Sequence, residues 1–211
     1  MVSGARATIG VMFTAPLDGL LHFQPTVHED SRGTFLEWFK ASDFENATGY
    51  PFDLQQANLS TSKSGTIRGL HFADVPPGQA KYVTCVAGRI WDVAVDIREG
   101  SPTYLQHFAV ELSAENREGL YLESGFAHGF LALEDSTVVY LTTHEYQPEI
   151  EHAINPFDEQ IAVPWPDAEY ILSEKDRTAP ALAEVTVPTH DDARRHYAEL
   201  KDFWVLANQE D

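Results

Sequence analysis

Positive charge is scarce in this 211-residue chain: 14 lysines and arginines face 33 aspartates and glutamates, a formal net charge of −19. Such an excess repels polyanions, so neither nucleic acid nor an anionic membrane surface is expected as a partner. A phosphate-bearing ligand would need a local basic pocket. Cysteine is nearly missing as well. Cys85 stands alone, which excludes an intrachain disulfide and a zinc ribbon. A lone cysteine in an apolar strand reads as a small buried hydrophobe, and a reduced cytoplasm is the expected compartment. No apolar run approaches membrane-spanning length, and the patch from Ile9 to Phe13, after Arg6, is shorter than the apolar region of a signal peptide. Neither G-x-G-x-x-G nor G-x-x-x-x-G-K-[ST] occurs, so redox and kinase chemistry lose their usual support. H-E-x-x-H is absent too, which leaves only scattered histidines and carboxylates from which to build a metal centre.

Short stretches rich in Val, Ile, Thr, Tyr, Phe and Trp recur between turn residues from about Leu20 to Trp165, the pattern of an all-β sandwich or barrel. Lys81 to Val86, then Ala87-Gly88, then Arg89 to Ile97 reads as a hairpin. In its second arm Trp91, Val93, Val95 and Ile97 alternate with Asp92, Ala94 and Asp96, as in a half-buried strand. Further strands are expected at Gly33 to Phe39, Thr66 to Phe72, Gln106 to Leu112, Glu118 to Leu122, Phe130 to Leu133 and Thr137 to Thr143. Ala41 to Thr48 reads as a short helix. In the tail, Thr189, Asp191 and Asp192 precede Ala193, Tyr197, Leu200, Phe203 and Trp204 at helical spacing, which predicts an N-capped amphipathic helix. With no repeat or linker, one domain over 1–211 is expected, with a barrel core at about 20–166 and a helical extension at about 181–211.

Four motifs occur in order at barrel-like spacing: Thr66-Ile-Arg68-Gly-Leu-His71-Phe72, Gln79-Ala-Lys81, Gly125-Phe-Ala-His128-Gly-Phe130 and Val139-Tyr140. Asp30-Ser-Arg32-Gly33, Ser101-Pro-Thr103, Leu112 to Asn116 and Leu172-Ser-Glu-Lys-Asp176 accompany them. Together, from about Leu20 to Pro180, they resemble the dTDP-4-dehydrorhamnose 3,5-epimerase family, and Asp74 to Cys85 resembles its actinobacterial members in particular. The resemblance implies a cupin-type β jelly roll with a few short peripheral helices and a C-terminal helix. It also implies a dTDP-sugar substrate, a homodimer, and an isomerase needing no cofactor and no metal.

The chemistry attributed to that family makes demands that these residue types can meet. Hydrogens on carbons 3 and 5 of a 4-keto sugar lie alpha to the carbonyl, so their removal needs a placed base and a group to hold the enolate charge. Histidine, with an unperturbed pKa of about 6.5, offers a neutral imidazole near pH 7. By resemblance the base is His71, supported by Asp176, and Tyr140 is the acid on the opposite face. Lys81, on a strand expected to neighbour that of His71 across the Pro76-Pro77-Gly78 turn, would stabilise the oxyanion. Arg32 and Arg68 match the family's anion contacts. Glu37, Gln56, Asn58, His128, Tyr146, Glu151 and Lys175 match positions that contact substrate, with Arg32 and Glu37 able to serve a partner's pocket. Arg68 and His71 are three apart and would face opposite sides of a regular strand, so Gly69 is expected to supply a bulge.

Each residue alone has a plainer reading. His71 and His128 could be hydrogen-bonded structural histidines, with Gly125 to Gly129 a simple turn. Lys81 could be a solvated strand residue, Tyr140 a core aromatic and Asp176 a helix-cap acid. His22, His28, His107, His144, His152, His190 and His196 read as surface or structural. At the level of function, inversion at carbon 3 only, a metal-dependent cupin and a non-catalytic sugar-binding module are the competing expectations. The usual H-x-H metal motif is broken, since Phe72 and Ala73 follow His71. Two departures from the family stand out: Leu141 replaces a frequent basic residue, and Ala57 replaces an aspartate.

Overall fold

The computed structural model describes residues 11–207, so the first two residues of the Ile9 to Phe13 patch and the last four residues of the expected extension lie outside the described residues. The strands are β1 (Val11–Leu17), β2 (Leu20–Pro25), β3 (Val27–Asp30), β4 (Gly33–Leu36), β5 (Gln56–Ser62), β6 (Ile67–Ala73) and β7 (Lys81–Ala87). They continue with β8 (Arg89–Asp96), β9 (His107–Ser113), β10 (Gly119–Leu122), β11 (Phe126–Ala132), β12 (Ser136–Thr142) and β13 (Glu151–Ala153). Helices α1 (Ala41–Thr48), α2 (Glu174–Arg177) and α3 (His190–Ala207) lie outside the barrel. One six-stranded sheet has the order β1-β2-β10-β7-β12-β5, and a five-stranded sheet has the order β13-β6-β11-β8-β9. These two antiparallel sheets make the jelly roll. The β3–β4 hairpin stands apart as a third, two-stranded sheet.

Three apolar clusters follow from the strand pleat. Between the sheets lie Leu20, Val83, Cys85, Ile90, Ala94, Leu112, Leu120, Phe126, Phe130 and Val138. Outside the five-stranded sheet, Leu70, Phe72, Val93, Val95 and Ile97 are covered by Ile154, Ile161 and Leu182 from the chain beyond β13. Outside the six-stranded sheet, Phe23, Tyr82 and Tyr121 are covered by Phe44 of α1 and Tyr197 of α3. Burial of each large apolar side chain contributes about 1.5–3 kcal/mol, so covering the outer faces fixes the sheets as firmly as the barrel interior does. Thr189 caps α3 as expected: its hydroxyl accepts from the Asp192 N–H at 3.1 Å and donates to the Asp192 carboxylate at 2.6 Å.

The expected hairpin at Ala87-Gly88 does not form. Strands β7 and β8 belong to opposite sheets, and Gly88 turns the chain between them at φ +70°, where a Cβ would come within 2.2 Å of the Asp135 carbonyl oxygen. Nor is β8 half-buried. Its outward residues lie beneath the chain beyond β13, while Asp92 and Asp96 on the other face are both fully buried. Asp96 is satisfied by the Arg98 guanidinium at 2.8 and 2.9 Å and by the Ser101 and Thr103 hydroxyls, which makes its burial tolerable. Strands β1, β2, β3, β5 and β13 were not among those expected, and other differences are of extent: the expected Gly33 to Phe39 strand ends at Leu36, and the strand expected from Phe130 begins at Phe126, so His128 is in β11 rather than in a turn.

Candidate active site

One cavity of about 240 Å³ opens between the sheets and is lined by Ser60, Arg68, His71, Lys81, His128, Tyr140, Ser173, Lys175 and Asp176, with Val83, Phe130 and Val138 as apolar wall. Pleat and register put these side chains there. In the five-stranded sheet His71 of β6 is paired with His128 of β11, so both rings project from one face. The β6–β11 register slips between His128 and Phe130, next to Gly69 at φ +127°, and the expected bulge turns Arg68 towards the same cavity. Gly129 lies so close that a Cβ on Gly69 would come within 2.5 Å of its Cα. In the six-stranded sheet Tyr140 of β12 is paired with Val83 of β7 and with Asn58 of β5.

Lys81 reaches the cavity by a different route from the expected one. Strands β6 and β7 are not neighbours: β6 lies between β13 and β11, β7 between β10 and β12. The Pro76-Pro77-Gly78 segment carries the chain across to the other sheet, its prolines having no N–H to extend a ladder. His71 and Lys81 therefore line the cavity from opposing walls.

Two carboxylate–histidine pairs organise the polar groups. Asp176, only 4% exposed, accepts from His71 Nε2 through Oδ1 at 2.6 Å and from the Ser173 hydroxyl through Oδ2 at 2.8 Å. The other ring nitrogen of His71 remains for chemistry. Burial alone would raise the Asp176 pKa, but the His71 and Ser173 hydrogen bonds and the nearby Lys175 prevail and hold it below the ordinary aspartate value. Asp92, fully buried, receives His128 Nε2 at 2.9 and 3.1 Å. Burial pulls the Lys81 ammonium below the usual lysine pKa, and Lys175 pushes the same way, while Glu151 and Asp92 oppose it. Burial, reinforced by Glu151, pushes the Tyr140 phenol above its ordinary value. Tyr140 is thus held protonated at neutral pH. Among the described residues, no group of three or more His, Cys, Asp and Glu side chains is arranged to hold a metal ion.

The remaining expected residues distribute unevenly. Gln56 and Asn58 share the inward face of β5, joined by a 2.7 Å bond, and Gln56 also accepts from the Tyr146 N–H at 2.9 Å. Glu151 accepts from the Gln79 side chain at 3.0 Å. Arg68 donates to the Ser62 hydroxyl and the Thr61 carbonyl, both at 3.0 Å. Gln56, Asn58, Tyr146 and Glu151 are not among the residues that line this cavity, and neither are Arg32 and Glu37. Arg32 sits in the β3–β4 turn with its side chain 87% exposed and bonded to Asp30, and Glu37 pairs with Lys40 at 3.4 Å. Leu141 and Ala57 both face away from the cavity, lining instead the outer groove with Trp38. Three site residues had not been singled out from the sequence: Asp92, Ser173 and Ser60. Asp92 was visible only as one polar member of an alternating strand, whereas the Ser173-x-x-Asp176 spacing is a legible cap signature. The buried Ser60 Oγ has no hydrogen-bond partner among the described residues.

Comparison with known proteins identifies the family. The sequence profile of dTDP-4-dehydrorhamnose 3,5-epimerase matches residues 14–184. A dTDP-4-dehydrorhamnose 3,5-epimerase of Mycobacterium tuberculosis is 45% identical over 191 residues, covering 87% of this chain and 95% of its own. A dTDP-4-dehydrorhamnose 3-epimerase of Streptomyces niveus is 46% identical over 169 residues, covering 80% of this chain and 82% of its own. Among solved structures, the 3'-monoepimerase ChmJ of Streptomyces bikiniensis, in complex with dTDP-quinovose, superposes with a TM-score of 0.87 at 38% identity, covering 90% of this chain and 99% of that one. On the length of these matches and the shared jelly roll, the chain belongs to the dTDP-4-dehydrorhamnose 3,5-epimerase family.

Proposed function

We propose that this single-domain protein epimerises a dTDP-4-keto-6-deoxy sugar at carbons 3 and 5 by proton transfer, with His71 as base. The observation that carries the reading is the 2.6 Å bond between His71 and the buried, ionised Asp176, in a cavity that Lys81 and Tyr140 line from the opposite sheet. His71 takes the hydrogen alpha to the ketone, and Asp176 stabilises the imidazolium that results. Lys81 faces the oxyanion that develops on oxygen 4. Tyr140, across the ring, returns a proton to the other face, which inverts the carbon. Arg68 and Lys175 supply the local positive charge that a diphosphate needs on so acidic a chain, with Gln56, Asn58, Tyr146, Glu151 and His128 as further substrate contacts. The proposed compartment is the cytoplasm. Among the described residues no helix is long and apolar enough to cross a membrane.

The test is nuclear magnetic resonance of dTDP-4-keto-6-deoxyglucose with the protein in deuterated water. Deuterium entering at both carbon 3 and carbon 5 is the expected result. Entry at carbon 3 alone replaces the double inversion with the single one named for the Streptomyces niveus relative, and entry at neither carbon would leave a binding module.

The proposed assembly is a homodimer in which the β3–β4 hairpin brings Arg32, followed by Glu37, to the partner's cavity. Support comes from a hairpin paired with neither main sheet, and from Phe35 at 65% and Leu59 at 66% exposure beside it, apolar surface that an isolated chain leaves in water. Mixing R32A with H71A subunits is expected to restore about a quarter of parental activity, through the one intact site of each mixed dimer. No restoration after exchange of subunits would remove the shared site.

A further inference from the structure

We propose that Ser173 is a positioning residue for the base, acting through Asp176 to fix the direction and charge of the carboxylate that supports His71. The inference rests on the reading of His71 as the base. Ser173 Oγ makes two bonds to one residue: it accepts from the Asp176 backbone N–H at 3.1 Å and donates to Asp176 Oδ2 at 2.8 Å. A hydroxyl has a single hydrogen, so with that hydrogen given to Oδ2 the serine favours the ionised carboxylate. Oδ1 is then the oxygen turned to His71, at 2.6 Å. Since Asp176 is nearly buried, little water is available to replace a lost donor. The same hydroxyl that caps α2 therefore aims the dyad through its second bond. Capping alone would stabilise the fold, whereas donation to Oδ2 also sets how readily the pair takes up a proton.

The two roles separate by substitution. S173A removes both, S173G keeps most of the cap's stability because glycine is tolerated at an N-cap, and S173T keeps both bonds. In S173A and S173G, kcat is expected to fall roughly 10- to 100-fold, the range set by losing a hydrogen bond to a charged group, with KM and dTDP affinity within about twofold of the parent. The acidic limb of the kcat–pH profile is expected to move to higher pH in both, because a carboxylate with one donor fewer binds protons more readily and raises the basicity of His71 with it. S173T should restore rate and limb together. A rate and limb in S173G matching the parent would overturn the proposal, as would a slow S173G whose limb has not moved. H71A measured alongside separates the two levels. If it retains turnover, the assignment of the base fails, and if it is inactive while S173G resembles the parent, only the role of Ser173 fails.

Discussion

Replacing Asp176 by asparagine is the most informative single change, since it removes one charge and little volume from a position that is 4% exposed. The carboxylate lies 2.6 Å from His71 Nε2 and carries the charge that an imidazolium would face. A charge-assisted hydrogen bond is worth about 1.5–3 kcal/mol, and opposite charges about 4 Å apart at an effective dielectric constant of 20 attract by about 4 kcal/mol. These overlap rather than add, so a loss of about 3–4 kcal/mol is expected, roughly 10²- to 10³-fold in the rate of deuterium entry. The change is in kcat, because dTDP binding draws on other residues. Stability responds with a definite sign. The folded pKa of Asp176 is depressed, so its contribution is present above the ordinary carboxylate value and is lost as pH falls through the folded one. D176N is therefore expected to be about 2 kcal/mol less stable than the parent at pH 7, by urea titration, and the difference is expected to narrow at a pH well below the ordinary carboxylate value. Exchange within threefold of the parent, with the same stability difference at both pH values, would refute the reasoning.

Two further outcomes follow from the same geometry. Lys81 is held below its ordinary pKa by burial, so K81M removes an unfavourable charge, and its Tm is expected to equal or exceed the parent's while turnover falls at least 100-fold. A large drop in Tm would make Lys81 a structural residue. G69A forces a Cβ against Gly129 at a backbone angle of +127° that L residues avoid, and is expected to cost about 2–3 kcal/mol in urea titration and to misdirect Arg68 relative to His71. Parental stability would show that the bulge can be redrawn.

What the sequence made legible was largely local. The helix at Ala41 to Thr48 and the Thr189 cap depend on residues a few positions apart, and both stand where their signals fall. The bulge at Gly69 could be inferred because Arg68 and His71 share a task yet sit three apart. Sheet membership was not legible, since Gly88 and Pro76-Pro77-Gly78 resemble hairpin turns and only the rest of the fold decides that they are corners between sheets. Alternation could not tell Asp92 from a solvated aspartate, because its partner, His128, is 36 residues away. The pairing of His71 with Asp176, 105 positions apart, came from the family resemblance and not from spacing. Arg32 and Glu37 came from it too, as residues able to serve a partner's pocket, and within one chain they lie outside the cavity, as do Gln56, Asn58, Tyr146 and Glu151.

The account turns on His71, and the most direct measurement is solvent exchange by H71A set beside its affinity for dTDP. Loss of deuterium entry at both carbons, with dTDP bound as tightly as by the parent, is the predicted result. Exchange near the parental rate would contradict it.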